Sequence, residues 1–291
     1  MPLEQAKESA DRGRARRGGI MVTGRGLVHA AAVATFLMAA CSSSGTGEPP
    51  KPTVRSASES PVSVAPEPPP SLEEACFSTN GVQARSMWFS ASDGVRLYGI
   101  ESGAGNTAVV LAHEGGADLC EWVPYIKTLN RAGIRAFAFD FRGYGNSDSP
   151  DTARLALGHD LAGAVAQVRA DGAKRVFLMG ASMGGAAVVQ NSAGIRVDGL
   201  ISLSGTRLLS GYGINDPAGL RSLSAPFLYV GTRDDPRAPQ REALSVYKRV
   251  GSSDTQIVLY PGSAHGTTLV DVPPHGDRTR ALILRWIETR S

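Results

Sequence analysis

The sequence predicts a doubly wound α/β domain, because short apolar segments alternate along the chain with amphipathic, helix-like segments. The strand segments are continuous apolar runs, which is typical of parallel strands covered on both faces. The chain has 291 residues, of which 42% are hydrophobic, so it is long enough for one large core or two small ones. We assign residues 73–291 to a single α/β domain.

Eight strands are predicted in this part of the chain. They are Met87–Ser90, Val95–Ile100, Thr107–Ala112, Ile134–Asp140, Arg175–Met179, Leu200–Leu203, Pro226–Val230 and Gln256–Tyr260. The first two lie too close together for an intervening helix, so we expect an antiparallel hairpin at the edge of a mostly parallel sheet. Helices are predicted at Glu121–Arg131, Thr152–Ala170, Met183–Gln190, Gln240–Arg249 and Arg278–Thr289.

Charge and composition exclude several classes of protein. The net charge is +3, but residues 1–26 hold six basic and three acidic residues, and the rest of the chain holds 24 of each. A neutral body argues against a nucleic-acid partner, because such proteins neutralise phosphates with clustered Lys and Arg. Three cysteines are too few for a disulfide scaffold, and no apolar run reaches the roughly 18 residues of a membrane-spanning helix.

The N-terminal segment 1–40 has the layout of a secretory signal. A basic stretch precedes the apolar run Leu27–Ala40, which ends in small residues before Cys41. The cysteine makes the segment resemble a bacterial lipoprotein signal, which implies lipidation of Cys41 and anchoring of an extracytoplasmic protein to the cell membrane. An ordinary cleaved signal and a secreted protein are the alternative, and translation could also begin at Met21.

Residues 41–72 are predicted to form a disordered tether. Residues 42–71 contain eight Pro and eight Ser without aliphatic periodicity. Such a segment cannot bury enough apolar surface to offset the entropy lost on ordering. A tether after a lipid-bearing cysteine would hold the folded domain away from the membrane surface.

The segment Gly180–Gly184, with sequence Gly-Ala-Ser-Met-Gly, lies between a predicted strand and a predicted helix. A turn this sharp requires small neighbours, and it raises the Ser182 hydroxyl clear of the sheet. It also directs N–H groups of the helix start toward a developing oxyanion. The alternative is a Gly-rich helix start with a serine cap, but the strand–turn–helix context favours a nucleophile.

From about Met87 to Ile287 the chain resembles the α/β-hydrolase family. Besides the serine turn, the segments that carry this resemblance are Val109–Gly116, Asp140–Ser147, Gly231–Pro236 and Pro261–Gly266, in the family's order. The segment Leu111–Trp122 is also similar to that of actinobacterial lipoprotein hydrolases. The resemblance implies a Ser–acid–His triad, with Asp140–Ser147 in a structural role.

A serine nucleophile needs a general base and a carboxylate that orients it. The resemblance places the base at His265, after the last strand, with His275 as the alternative; His113 and His159 are assigned other roles. For the acid, the resemblance implies a position after Gly231 whose spacing in the family favours Asp234 over its neighbour Asp235. Only one of the two can reach His265, because successive side chains point in different directions.

An oxyanion hole needs two backbone N–H groups. Met183, directly after the serine, supplies one, and the loop after Thr107–Ala112 supplies the other. This loop reads His-Glu-Gly-Gly, as in dienelactone hydrolases, and it leaves Glu114 and Gly115 as rival donors, of which we favour Glu114.

Cys76 and Cys120 remain after Cys41. In an extracytoplasmic domain two cysteines suggest a disulfide, here between the N-terminal extension and the helix after the oxyanion loop. Two buried free thiols are the alternative.

Together these observations predict a monomeric serine hydrolase that acts on small or soluble esters through an acyl-enzyme. The interval Ser204–Ala225 between two strands spans only 22 residues, so we expect a minimal lid and an open site. No metal cluster or cofactor fingerprint is evident in the sequence. A peptidase or thioesterase with the same triad, and a catalytically silent binding lipoprotein, remain as alternatives.

Overall fold

A computed structural model describes residues 72–150, 156–205 and 217–290 of the chain. The predicted signal segment, Cys41 and the tether up to residue 71 lie outside these ranges. Residues 206–216, half of the predicted lid interval Ser204–Ala225, also lie outside them. The described part of that interval includes a short helix at Pro217–Ser222. Within the described ranges, no helix is both long enough and apolar enough to cross a bilayer.

An eight-stranded sheet forms the centre of the domain. Its strands are β1 (Ala84–Ser90), β2 (Arg96–Ser102), β3 (Thr107–Ala112), β4 (Arg135–Phe139), β5 (Arg175–Ala181), β6 (Gly199–Leu203), β7 (Phe227–Thr232) and β8 (Thr255–Tyr260). The strand order is β1-β2-β4-β3-β5-β6-β7-β8. β1 and β2 pair antiparallel at the edge and β2 is antiparallel to β4, whereas β4, β3, β5, β6, β7 and β8 run parallel. The predicted fold class and the N-terminal hairpin are therefore confirmed.

Strand β3 shows why the apolar runs are continuous. All six of its residues are buried, and alternate side chains enter two different cores. Val110 packs on one face of the sheet, and Val109 and Leu111 pack on the other. A strand covered on both faces has no polar side, so the period-2 alternation of a half-exposed strand is absent.

Helices cover both faces of this sheet. They are α1 (Leu72–Thr79), α2 (Val123–Arg131), α3 (Leu157–Ala170), α4 (Met183–Asn191), α5 (Pro217–Ser222), α6 (Gln240–Tyr247), α7 (Thr268–Asp271) and α8 (Gly276–Glu288), with a 3₁₀ turn at Leu119–Trp122. The five predicted helices correspond to α2, α3, α4, α6 and α8. The predicted start of α3 at Thr152 lies outside the described residues. Three helices, α1, α5 and α7, were not predicted.

A buried ion cluster fixes the loop after β4. The guanidinium of Arg142 is fully buried, and its Nη1 and Nη2 each donate to an Asp93 carboxylate oxygen at 2.8 Å. Its Nε donates to the buried Asp160 carboxylate at 2.8 Å, so α3, the β1–β2 turn and this loop are joined. Burial of a charge is tolerated only when its donors are satisfied in this way.

The parallel strands end at one common edge of the sheet. The loops after β3, β5, β7 and β8 therefore meet there, and these are the loops that carry Glu114, Ser182, Asp235 and His265. Ligand sites of open α/β sheets form at this carboxyl edge.

Candidate active site

Ser182 occupies the turn between β5 and α4. Its backbone has φ 47° and ψ −109°, a positive-φ conformation that is uncommon for a residue with a side chain. Such strain costs on the order of 1–3 kcal/mol and persists only where the surroundings impose it. The sequence prediction of a strained serine turn agrees with this geometry.

The residues two positions before and two positions after Ser182 must be glycine, because backbone lies directly against them. A Cβ added to Gly180 would lie 2.3 Å from the carbonyl carbon of Gly184. One added to Gly184 would lie 2.1 Å from the carbonyl oxygen of Ala112, at the end of β3. Because Gly184 also donates its N–H to the His113 carbonyl at 3.1 Å, the serine turn is fastened to the loop after β3.

His265 and Asp235 form a buried pair. Nδ1 of His265 lies 2.6 Å from Oδ2 of Asp235, and the two side chains are 7% and 0% exposed. Because a carboxylate only accepts hydrogen bonds, Nδ1 is the donor in this bond, and Nε2 is the ring nitrogen on the side away from Asp235. Nε2 is buried and makes no hydrogen bond to any described residue, Ser182 included.

The structure corrects the preference for Asp234 as the partner of His265. Asp234 is exposed, and its N–H donates to the Gly262 carbonyl at 3.0 Å. β7 extends to Thr232, two residues beyond its predicted end, and pairing with the β8 side continues through Arg233 and Asp234. The chain therefore turns inward only at Asp235, which the sequence analysis kept as the rival.

The remaining histidines contact other groups. His275 precedes α8 and stacks on Tyr260, with ring centroids 4.9 Å apart. His159 Nδ1 lies 2.7 Å from the Ser92 hydroxyl. Neither ring is paired with Asp235, so His265 is the histidine that the geometry favours as a base.

His113 is a structural residue of the loop after β3. It is fully buried, its Nδ1 donates to the Glu114 carbonyl at 2.7 Å, and its Nε2 accepts the Phe141 N–H at 3.1 Å. Burial lowers the pKa of His113 to about 4, so the ring is neutral near pH 7. The neutral ring thus pairs with a carbonyl of the loop after β3 and with an N–H of the loop after β4, and it joins these two loops.

The two candidate oxyanion donors, the N–H groups of Glu114 and Gly115, lie in the same loop and differ in their hydrogen bonds. The Glu114 N–H donates to Oε1 of Glu121 at 2.9 Å and is therefore already used. The next residue, Gly115, is exposed and lies beside Met183, since a Cβ added to it would be 3.7 Å from the Met183 Cβ. Neither the Gly115 nor the Met183 N–H bonds to another described residue, so the geometry favours Gly115, the rival of Glu114, as the donor beside Met183.

The segment Asp140–Ser147 has a structural role, as the resemblance implied. Both oxygens of the buried Asp140 carboxylate accept backbone N–H groups, from Leu119 at 2.9 Å and from Asn146 at 3.1 Å. This carboxylate holds the 3₁₀ turn beside the oxyanion loop.

Cys76 and Cys120 form the predicted disulfide, with 6.0 Å between their Cα atoms. The bridge connects α1 to the 3₁₀ turn at Leu119–Trp122. The alternative of two free thiols is therefore wrong. Elsewhere in the described ranges, no group of three or more His, Cys, Asp or Glu side chains is arranged to hold a metal ion.

Sequence reasoning missed two residues at this edge, Glu121 and Thr267. Oε1 of Glu114 accepts the Thr267 N–H at 2.8 Å and lies 3.3 Å from its hydroxyl, and Glu121 accepts the Glu114 N–H. Glu121 fell within a predicted amphipathic helix, where a carboxylate ordinarily faces solvent. No local pattern marks it as a partly buried contact of the loop after β3.

Comparisons with known proteins agree with this fold. Residues 109–240 match the sequence profile described as "Alpha/beta hydrolase family". A mouse protein, "Protein phosphatase methylesterase 1", is 30% identical over 118 residues, which are 39% of this chain and 30% of that protein. The chain thus matches about a third of the length of that relative.

Solved structures are similar over most of the described domain. An esterase from Pyrococcus furiosus superposes with a TM-score of 0.65 at 17% identity, over 73% of this chain and 93% of that one. A monoglyceride lipase from Saccharomyces cerevisiae gives 0.58 at 13% identity, over 72% and 95%. An esterase from Thermogutta terrifontis gives 0.57 at 19% identity, over 72% and 99%. The chain therefore has the fold of these esterases and lipases, and residues 109–240 within it match the α/β-hydrolase profile.

Proposed function

We propose that this α/β-hydrolase is a serine esterase, with Ser182 as nucleophile, His265 as general base and Asp235 as the acid that orients it. The observation that carries the proposal is the buried His265–Asp235 pair at the sheet edge where Ser182 occupies its strained turn. Two N–H groups beside the serine are available for an oxyanion. Fold likeness alone would not support an activity, but this set of groups does.

The reaction would proceed in two steps. Ser182 Oγ attacks the ester carbonyl carbon while His265 Nε2 takes the hydroxyl proton, and the negative charge on the carbonyl oxygen is stabilised by the Gly115 and Met183 N–H groups. The tetrahedral adduct expels the alcohol, which receives the proton from His265, and leaves an acyl group on Ser182. Water, deprotonated by His265, then attacks the acyl-enzyme and releases the acid and free Ser182.

Asp235 would act through the histidine. Its Oδ2 accepts the Nδ1 proton, which fixes the tautomer whose Nε2 can take the serine proton. Its Oδ1 accepts the N–H groups of Arg237 and Ala238, at 2.9 and 3.2 Å. These bonds hold the carboxylate in place while the imidazolium forms.

Small or soluble esters are the proposed substrates. The interval between β6 and β7 is short, and helix α5 within it has only six residues. The similar structures are named as esterases and lipases, which supports ester bonds as the substrate class. We further propose that a lipid on Cys41 anchors the protein to a bacterial membrane, on the strength of its basic, apolar and small-residue leader.

A substrate panel tests the proposed reaction. The purified protein is assayed on matched short-chain ester, thioester and peptide substrates, beside Ser182→Ala and the exposed-serine control Ser224→Ala. We expect turnover of the ester, retained in Ser224→Ala and lost by about 10³-fold or more in Ser182→Ala. Preferential cleavage of the thioester or the peptide would instead indicate a thioesterase or a peptidase. No turnover of any substrate would favour a binding role.

Lipidation is tested separately by mass spectrometry of the protein recovered from bacterial membranes. An N-terminal diacylglycerol-modified Cys41, absent from Cys41→Ala, is the expected result. An unmodified N-terminus in the culture medium would indicate secretion instead.

A further inference from the structure

Two glutamates join the loops that carry the oxyanion donor and the base. Oε1 of Glu121 accepts the Glu114 N–H at 2.9 Å. Oε1 of Glu114 in turn accepts the N–H of Thr267 at 2.8 Å, two residues after His265. A continuous chain of hydrogen bonds therefore runs from the 3₁₀ turn, through the oxyanion loop, to the base loop.

The contact at the base loop is close. Gly266 has φ 55°, and a Cβ added there would lie 1.8 Å from Oε1 of Glu114. The backbone next to His265 thus lies directly against the Glu114 carboxylate. A shift of Glu114 would move the base loop as well as the oxyanion loop.

Both chain neighbours of Glu121 are constrained by their own contacts. Its neighbour Cys120 is bonded to Cys76 of α1, and its other neighbour Trp122 is fully buried. The 3₁₀ turn is capped by Asp118, which accepts the Cys120 N–H at 2.8 Å. Glu121 can therefore act as a fixed point for the loop that it contacts.

We propose that Glu121 is a positioning residue of the proposed esterase. By engaging the Glu114 N–H, it leaves the following N–H, that of Gly115, directed at the substrate oxygen beside Met183. The inference rests on the proposed function, because the role of the Gly115 N–H is defined by that reaction. Glu121 itself does not touch the reacting atoms.

The surroundings of Glu121 favour an uncharged carboxyl. Burial, followed by repulsion from Glu114, raises the pKa of Glu121 to about 9, and Asp118 and Asp271 of α7 act in the same direction. Arg280 of α8 faces Asp271, and its guanidinium bonds to the Val270 carbonyl and to Asp277 rather than to Glu121. Ionisation of Glu121 would therefore place a second carboxylate next to Glu114 and disturb the loop.

The test compares Glu121→Gln and Glu121→Ala on a short-chain ester, with the exposed Glu288→Ala of α8 as control. Gln keeps an acceptor for the Glu114 N–H but cannot ionise, whereas Ala removes the acceptor. We expect Glu121→Ala to lower kcat by about 10- to 100-fold with KM changed less than about threefold, because the loss falls on transition-state stabilisation. We expect Glu121→Gln and Glu288→Ala to stay within about threefold of wild type at pH 7.

The pH profile separates positioning from a purely structural role. Wild-type kcat should fall above pH 9, and this alkaline limb should be absent or displaced upward in Glu121→Gln. A folded Glu121→Ala with wild-type kcat, or an unchanged alkaline limb in Glu121→Gln, would overturn the inference. If the Ala variant does not fold, the Gln profile decides alone.

Failure of the proposed function looks different. In that case wild type, Ser182→Ala and all three glutamate variants would be equally inactive on esters, and the inference would fall with it. Active wild-type protein that is insensitive to Glu121 would remove only the positioning role.

Discussion

The Asp235 carboxylate uses both of its oxygens, one for the His265 ring and one for two backbone N–H groups. Its neighbour Asp234 faces solvent and contributes only its N–H to the β8 side of the sheet. Two adjacent residues of the same type therefore have very different expected effects on the reaction, and substitution can separate them.

We expect Asp235→Asn to lower kcat by about 10³- to 10⁴-fold, because an amide at this position favours the wrong tautomer of His265. Asp234→Asn, the matched control, should stay within about threefold of wild type. Steady-state kinetics on one ester suffice. The opposite ranking of the two variants would restore Asp234 as the triad acid.

The pair Asp234 and Asp235 shows that sequence motifs locate the site loops but do not identify which of two adjacent residues faces the site. The serine turn and His265 were predicted because the strand, the glycines and the order of the motifs all point to them. The aspartate that pairs with His265 was ranked second, because spacing was counted from Gly231 while β7 runs to Thr232 and stays paired beyond it. Glu114 was preferred over Gly115 because nothing in the sequence shows that the Glu114 N–H is taken by Glu121.

At the scale of elements, the 3₁₀ turn Leu119–Trp122 is only four residues long but makes several contacts that fix the loop after β3. It contains Cys120 of the disulfide, the buried Trp122 and the partly buried Glu121. The Asp140 carboxylate accepts the N–H of its first residue, Leu119. The eight strands were predicted to within three residues at each end. The inner strands β3, β5, β6 and β7 are continuous apolar runs because they are buried on both faces, whereas the edge strands β1 and β8 are partly exposed. Helices α1, α5 and α7 were missed, since helices of eight, six and four residues carry too little periodicity.

The disulfide should contribute a large share of the stability of this region. Its cysteines are 44 residues apart, and in the chain-entropy model closing a loop of that length stabilises by about 4 kcal/mol. Chemical denaturation of Cys76→Ser/Cys120→Ser should show a free energy of unfolding lower by roughly that amount. Wild type unfolded in reductant is the control, and unchanged unfolding of the double variant would contradict the estimate.

At the scale of the whole molecule, buried ionisable groups make stability depend on pH. Glu121 has an ordinary pKa of 4.5 and a folded-state pKa of about 9. Between these values the unfolded chain has lost the proton that the folded protein retains, so stability falls as pH rises. His113 acts in the opposite direction, but only below its ordinary pKa of 6.5, because above it the ring is neutral in both states.

We therefore expect the Tm of wild type to decline between pH 6.5 and 9, and the decline to be smaller in Glu121→Gln. The difference between the two proteins should become independent of pH below about pH 4, where Glu121 is protonated in both states. Calorimetry at several pH values, with Glu288→Ala as control, measures this difference. Parallel Tm profiles for wild type and Glu121→Gln would show that Glu121 ionises normally in the folded protein.

The central claim is that this fold assembles an activated serine at position 182. Fluorophosphonate labelling of the purified protein, followed by peptide mapping, tests it without knowledge of the substrate, because the probe reacts only with a serine whose proton a base can take. We expect one labelled site, Ser182, with labelling lost in Ser182→Ala and strongly slowed in Asp235→Asn. Folded wild-type protein that stays unlabelled, or that is labelled at another serine, would contradict it.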